Sequence, residues 1–150
     1  MDEVEYRDLY HNVNQRRCIF EKAILTRRFG CSKLVKINIA DREAAACSEG
    51  LAQKNCQELL SLFRKNATFA IHTTGSKQPL PHAKEIKVQC GGLTGLAHTL
   101  SPEDEIPDGV ADIHACIELA KHTFSSLDDF PFNDIVKVIS HYEGRKKRKT

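Results

Sequence analysis

The sequence predicts an all-α protein, a single-domain bundle of five or six helices. Apolar residues recur at helical spacing between clear turn signals, and the alternation typical of exposed strands is weak throughout. The chain has 150 residues and is 41% hydrophobic, which suits one domain with a real core. We assign residues 1–144 to the helical domain and residues 145–150 to a basic, disordered tail.

The first long segment opens with a capping signal. Asp2 is followed three residues later by Glu5, which is the spacing of a capping box. Apolar positions then continue at helical spacing as far as Ile24, and Gly30 is a residue type that commonly ends helices. The pattern predicts a helix that runs up to Gly30.

Four later segments show the same helical spacing. They run from about Ser48 to Ala70, from Pro81 to Leu100, from Val110 to Phe124 and from Pro131 to Tyr142. Polar stretches at residues 72–79 and 101–109 separate them as loops. Only residues 33–40 alternate like a strand, and one strand makes no sheet. The acidic residues that follow, beginning at Asp41, are interpreted as a first helical turn.

The predicted helix from Pro81 contains three glycines near its middle, at positions 91, 92 and 95. Each glycine costs about 1 kcal/mol relative to alanine inside a helix, so something must offset this cost. The first interpretation is a tight helix crossing. The alternatives are room for a bulky group beside Cys90, or a helix that stops at Cys90 and restarts after a turn.

Charge is distributed unevenly along the chain. The net charge is +2, but five cations lie between Arg145 and Lys149, so the rest of the chain carries −3. A basic footprint for nucleic acid is therefore absent from the body of the chain, although the tail could touch phosphates. We expect the tail to be solvated, as terminal charge runs usually are.

The sequence gives no sign of membrane insertion or export. Its longest uncharged stretch, residues 88–102, is too short and too polar to span a bilayer. The acidic start at residues 1–5 has no apolar run behind it, so a signal peptide is not expected. We expect a cytoplasmic protein whose thiols are reduced.

The cysteines are the feature that most favours a specific chemistry. The chain has six, and none forms the close pair that zinc ribbons and fingers use. Widely spaced cysteines can still meet around an iron–sulfur cluster, which is larger than a zinc ion. The spacing therefore favours a [4Fe–4S] cluster, with zinc as the weaker alternative.

Local structure selects the candidate ligands. Cys31 and Cys47 lie at predicted helix ends, Cys56 lies on the apolar face of a helix, and Cys90 lies beside the glycines. The predicted cofactor and metal ligands are Cys31, Cys47, Cys56 and Cys90. Cys18 substitutes for one of them if the first helix breaks near Asn14. An unbroken helix would hold Cys18 about 20 Å from Cys31.

Two other roles for the cysteines stay open. They could be buried structural thiols, as Cys116 is expected to be, because free cysteine packs as a small apolar group. They could also be redox-active thiols. Arginine pairs at positions 16–17 and 27–28 would favour the thiolate in either a redox or a metal site. The scattered histidines form no catalytic motif, so no catalytic residue is predicted.

These observations predict a small cytosolic metal-binding protein that carries an iron–sulfur cluster on cysteines. It would act in electron transfer, in redox sensing or as an accessory to a redox enzyme, with a protein redox partner. The alternative is a non-catalytic helical adaptor. In that case the thiols are structural and the basic tail engages an acidic protein or RNA.

Overall fold

The computed structural model describes residues 2–72 and 80–143, and these form six α-helices and one antiparallel hairpin. The helices are α1 (Glu3–Val13), α2 (Glu21–Leu25), α3 (Gly50–Ala67), α4 (His82–Leu100), α5 (Ile113–Phe124) and α6 (Phe132–His141). The strands are β1 (Leu34–Ile39) and β2 (Arg42–Cys47), and a short 3-10 turn covers Leu127–Asp129.

Helix α4 occupies the centre of the fold. All its residues from position 88 to position 96 are buried, so the helix has no solvent-facing side over this stretch. Helices α2, α3, α5 and α6 pack around it. A helix that is covered on all sides must be apolar or small all round, which explains why this stretch is uncharged.

Gly91 and Gly95 of α4 form a tight crossing with α6, as the first interpretation of the sequence held, while Gly92 packs against Phe63 of α3. A Cβ atom placed on Gly91 would lie 2.8 Å from the Cα of Ile139, and one on Gly95 would lie 3.2 Å from the Cα of Ile135. Helix α4 continues through Cys90 without a break. We call this contact the glycine crossing. The close packing of the two backbones offsets the helical cost of the glycines.

The all-α prediction is wrong, because β1 pairs with a second strand. The register runs from Leu34 opposite Cys47 to Ile39 opposite Arg42. The sequence did not predict β2, because three consecutive alanines occupy positions 44–46 and alanine favours helices and is depleted in strands. The turn also lacks glycine: Ala40 supplies the positive φ of 55° instead. Strand pairing and burial therefore overrode local propensity.

The predicted first helix is also wrong beyond residue 13. Helix α1 ends at Val13, and the next helix, α2, has only five residues. Asn14 donates its side-chain N–H to the carbonyl of Ala45 at 2.9 Å, and Arg17 forms an antiparallel bridge with Ala46. The chain from residue 14 to residue 18 is thus held in an irregular, partly extended course along β2.

Gly30 does not end a helix. A Cβ on this residue would lie 2.7 Å from the carbonyl oxygen of Ala111, so Gly30 permits a close approach between two loops. Residues 101–109 form the predicted loop. The predicted loop at 72–79 and the basic tail fall almost wholly outside the described residues. Within residues 2–72 and 80–143, no helix has both the length and the apolar character needed to cross a membrane.

Candidate metal centre

Two of the cysteines lie on neighbouring extended segments beside the hairpin. The backbone N–H of Cys18 donates to the carbonyl of Ala45 at 2.9 Å, and that of Cys47 donates to the carbonyl of Arg16 at 2.8 Å. These bonds continue the sheet pattern outward from β2. They hold Cys18 and Cys47 in adjacent positions, although the two are 29 positions apart in the sequence.

Cys31 reaches the same place through the loop before β1. Its carbonyl accepts a hydrogen bond from the N–H of Leu34 at 3.1 Å, and Leu34 lies opposite Cys47 in the hairpin. The N–H of Ser48 donates to the carbonyl of Lys33 at 2.8 Å, which joins the residue after β2 to the residue before β1. Cys31 and Cys47 therefore flank the open end of the hairpin.

Helix α3 places Cys56 next to the segment that carries Cys18. One turn earlier on this helix, Gln53 donates its side-chain amide to the carbonyl of Arg17 at 2.8 Å. Residues three apart lie on the same face of a helix, so Cys56 faces the segment that carries Cys18. Cys18, Cys31 and Cys56 are each partly buried and pack against the hydrophobic core.

The thiols of these cysteines interact with one another electrostatically. Burial, with smaller contributions from the neighbouring Cys31 and Cys47, raises the pKa of Cys18 to about 12. Burial also raises the pKa of Cys31, with a smaller contribution from Cys47.

Burial likewise dominates the upward shift in the pKa of Cys56, to which the thiols of Cys18, Cys31 and Cys47 all add. Every pair among the four cysteines therefore interacts. Charges in or near solvent are largely screened beyond about 10 Å at ordinary salt, so the four thiols share one neighbourhood. We call them the four-cysteine group: Cys18, Cys31, Cys47 and Cys56.

Backbone N–H groups point at two of the sulfurs. Phe20 donates to the Sγ of Cys18, and Lys33 donates to the Sγ of Cys31 over 3.5 Å. Cys31 also accepts from the N–H of His114, in the first turn of α5. Such donors lower the pKa of both thiols and so favour their deprotonated form. The thiol of Cys47 instead donates to the carbonyl of Glu49 at 3.2 Å.

A lysine stands beside the four-cysteine group. Lys33 forms an ion pair with Glu49 at 2.9 Å, and its pKa is raised mainly by Glu49 and further by Cys31 and Cys47. The arginines near Cys18 and Cys31 do not overcome burial, because the pKa values of both thiols are raised. Arg28 instead acts on Cys90, whose pKa it lowers against burial.

Cys90 lies apart from the group. It is fully buried in α4, and its thiol contacts the hydroxyl of Tyr142. Burial raises the pKa of Cys90, opposed by that hydroxyl. Cys116 lies on α5, partly buried against the core, and burial raises its pKa to about 11. The structure thus brings Cys18, rather than Cys90, to Cys31, Cys47 and Cys56.

The four thiols do not form a preformed metal site. Among the described residues, no three histidine, cysteine, aspartate or glutamate side chains are close enough together to hold a single metal ion. All six cysteines are free of disulfides.

No protein-family model, curated protein or solved structure matches this chain.

Proposed function

We propose that this chain is a metal-binding protein whose four-cysteine group holds an iron–sulfur cluster. The supporting observation is that all six pairs within the group interact, while Cys90 and Cys116 lie outside it. Four cysteine thiolates are the usual ligand set of [2Fe–2S] and [4Fe–4S] clusters. We favour the [4Fe–4S] form, because four cysteines that are widely spaced in the chain can meet around a cluster of this size.

The described residues offer no preformed zinc site. A structural zinc ion draws four sulfurs to within about 2.3 Å of one point. No such close set exists among residues 2–72 and 80–143. A cluster places its ligands around several iron atoms, so its cysteines sit farther apart. Three separate backbone segments and one helix supply the ligands here, which suits a group of that size.

The surroundings of the sulfurs support the same assignment. Hydrogen bonds from N–H groups to cluster sulfurs tune the reduction potential and stabilise the reduced, more negative state. Phe20, Lys33 and His114 provide such donors. The ammonium group of Lys33 adds a positive charge beside Cys31 and Cys47. These features suit electron transfer, redox sensing or service to a redox enzyme in the cytoplasm, with a protein as the redox partner.

The alternative roles of the thiols are less well supported. Reactive cysteines have lowered pKa values, whereas burial raises the pKa values of Cys18, Cys31 and Cys56. Cys116 is also partly buried but has no cysteine neighbour, whereas the four members of the group interact with one another. A helical adaptor without a cofactor would be colourless after anaerobic purification.

The experiment is a set of single cysteine-to-serine variants purified without oxygen, followed by analysis of iron and acid-labile sulfide. Serine keeps the size of the side chain but is a poor ligand for soft metals. Replacing Cys18, Cys31, Cys47 or Cys56 should remove most of the iron. Cys90→Ser and Cys116→Ser are the matched controls and should keep it.

Two results would contradict the proposal. One is a wild-type protein with no iron and no visible charge-transfer absorption. The other is an iron content that falls with Cys90→Ser but not with Cys18→Ser. Zinc in place of iron and sulfide would confirm the ligands and refute the cluster.

A further inference from the structure

Strand β1 has an outer edge that the described part of the chain leaves unpaired. Its inner edge pairs with β2, and the far side of β2 is bridged in turn by Arg17. The order across the sheet is therefore the segment of Arg17, then β2, then β1. A strand at the end of such a row presents N–H and carbonyl groups that form a template for pairing with another strand.

The hairpin register shows which backbone groups of β1 face outward. The N–H of Ser48 donates to the carbonyl of Lys33 at 2.8 Å, and hydrogen-bonded pairs recur at every second residue of an antiparallel ladder. The odd-numbered residues of β1 therefore bond with β2, while the N–H and carbonyl groups of Lys36 and Asn38 point away from it. Both residues are exposed, and nothing within residues 2–72 and 80–143 hydrogen-bonds these four groups. The outer edge thus offers two donors and two acceptors.

These four groups are complementary to a second copy of the same strand. In an antiparallel pair with Ile37 opposite Ile37 of the copy, Lys36 lies opposite Asn38 and Asn38 lies opposite Lys36. Each of these two pairs exchanges two hydrogen bonds, so all four outward groups of each strand are satisfied. Val35 then lies opposite Ile39 of the copy, and β-branched side chains meet across the joint.

Charge favours this register over the adjacent symmetric one. A pair centred on Lys36 would place two lysines directly opposite each other, and like charges in that position are destabilising. That register would also need the N–H of Leu34, which already donates to the carbonyl of Cys31 at 3.1 Å. Natural edge strands often carry a lysine that prevents indiscriminate pairing. Here Lys36 disfavours the register centred on itself and faces a neutral asparagine in the register centred on Ile37.

We propose that two copies of this chain associate through their β1 edges and form one four-stranded antiparallel sheet. A two-stranded hairpin is marginal by itself, and additional strands stabilise it. The pairing would also cover Val35, which is 43% exposed in the single chain. The joint is only one short strand long, so the dimer is reversible and of moderate affinity. It needs no metal, because β1 contains no member of the four-cysteine group.

The test is sedimentation equilibrium of the full chain in oxygen-free buffer, at concentrations from about 1 to about 300 µM. The exclusion of oxygen prevents intermolecular disulfides from producing a dimer of another kind. The average mass should rise from that of one chain towards that of two as the concentration increases.

Two opposite charges at position 38 test the register. Asn38→Glu places a carboxylate opposite Lys36 of the copy, twice by symmetry, and should lower the dissociation constant by about fivefold. Asn38→Lys opposes two lysines at both places and should raise it by about fivefold. Within one chain, position 38 lies opposite Glu43, so the hairpin itself should favour lysine and disfavour glutamate. The expected order is therefore the reverse of an effect that acts through hairpin stability.

Lys36→Pro tests the backbone of the joint. It removes an outward N–H that the single chain does not use, and proline is tolerated on an edge strand, so the variant should fold. The dimer loses two of its four hydrogen bonds and should dissociate at least about tenfold more readily. Asn133→Lys is the matched control: it adds a charge at an exposed position of α6, away from β1, and the dissociation constant should be unchanged.

Three outcomes would overturn the proposal. They are a single-chain mass at every concentration, an Asn38→Lys dimer at least as tight as that of Asn38→Glu, and a folded Lys36→Pro variant that dimerises like the wild type. If Lys36→Pro does not fold, the two variants at position 38 keep the test decisive. Cys56→Ser should dimerise like the wild type, so the loss of iron and the loss of the joint are measured separately.

Discussion

The environment of cysteine differs between the four-cysteine group and the glycine crossing. In the group, irregular and extended segments converge, the thiols are partly exposed, and backbone N–H groups point at Cys18 and Cys31. At the crossing, Cys90 lies inside a regular helix and is fully covered. The N–H groups inside a helix donate to carbonyls of the same helix, whereas N–H groups in loops and at strand ends can donate to a sulfur atom. The backbone that carries a cysteine therefore decides whether N–H groups can reach its sulfur.

The largest expected effect is at the crossing, where Gly91→Leu should destabilise the protein. The new Cβ would meet the backbone of Ile139, which cannot move without shifting α6. Overpacking of this kind costs about 1–3 kcal/mol, and we expect the upper end because a backbone atom is in the way. Urea unfolding of the purified variant measures the change.

Gly50→Ala is the control for this substitution. Gly50 is the first residue of α3, and a Cβ there would meet nothing within 4 Å. Its free energy of unfolding should change by no more than about 0.5 kcal/mol. A Gly91→Leu variant as stable as wild type would show that the helices are not in close contact. A fall in iron content per folded molecule would show that the crossing and the metal site are not independent.

The parts of the fold that the sequence predicts are those governed by local signals. The starts of α4 and α6 follow from prolines 81 and 131, and the crossing follows from the glycines. The hairpin does not follow from such signals, because Ala45 has little strand preference and is held by distant partners. It accepts from Asn14, 31 positions earlier in the chain, and its N–H donates to Glu21.

The candidate site was predictable in the same uneven way. Helix ends predicted Cys31 and Cys47, the apolar face of a helix predicted Cys56, and the neighbouring glycines predicted Cys90. The structure brings the first three together and leaves Cys90 apart. Cys18 entered only on the condition that the first helix breaks near Asn14. That break depends on the contacts of Asn14 and Arg17 with β2, so no local pattern reports it. The same contacts place Cys18 near the other three cysteines of the four-cysteine group.

Asp112→Ala should have the next largest effect, on the side of the four-cysteine group. Asp112 caps α5 by accepting from the N–H of Ala115 at 3.3 Å, and it also accepts from the N–H of Ser32 at 2.9 Å. The loss should cost about 1–2 kcal/mol, because a cap and a loop contact disappear together. Iron should also be lost faster to a chelator, since Ser32 adjoins Cys31.

Asp2→Ala is the matched control for the capping effect. Asp2 caps α1 in the same manner, but no residue of α1 is buried. The change should cost about 0.5 kcal/mol and leave the rate of iron release unaltered. Equal rates of iron release from both variants would show that the Asp112 contact does not support Cys31.

A smaller effect on the free energy of unfolding is expected at high pH from Tyr142, which lies beside Cys90. Burial, together with the neighbouring thiol, raises the pKa of Tyr142 to about 12, whereas the pKa of a tyrosine in the unfolded chain is about 10. The folded state holds this proton more tightly. Its contribution is therefore complete below pH about 10 and is lost as pH rises to about 12. Tyr142→Phe should show a shallower fall in the free energy of unfolding over this range, measured by urea titration. An unchanged slope would contradict the assignment.

The smallest effect is expected from removing residues 145–150, which lie outside the described residues. This segment contains five cations and no apolar side chain, so its loss removes no hydrophobic burial from the core. The melting temperature and the iron content of the truncated chain should both equal those of the full chain. Any binding of the tail to phosphate or to an acidic protein should weaken as salt is added, because exposed charges are screened. A marked fall in melting temperature after truncation would show that the tail packs on one of the two regions. Added salt would then distinguish a charge contact, which salt weakens, from an apolar one.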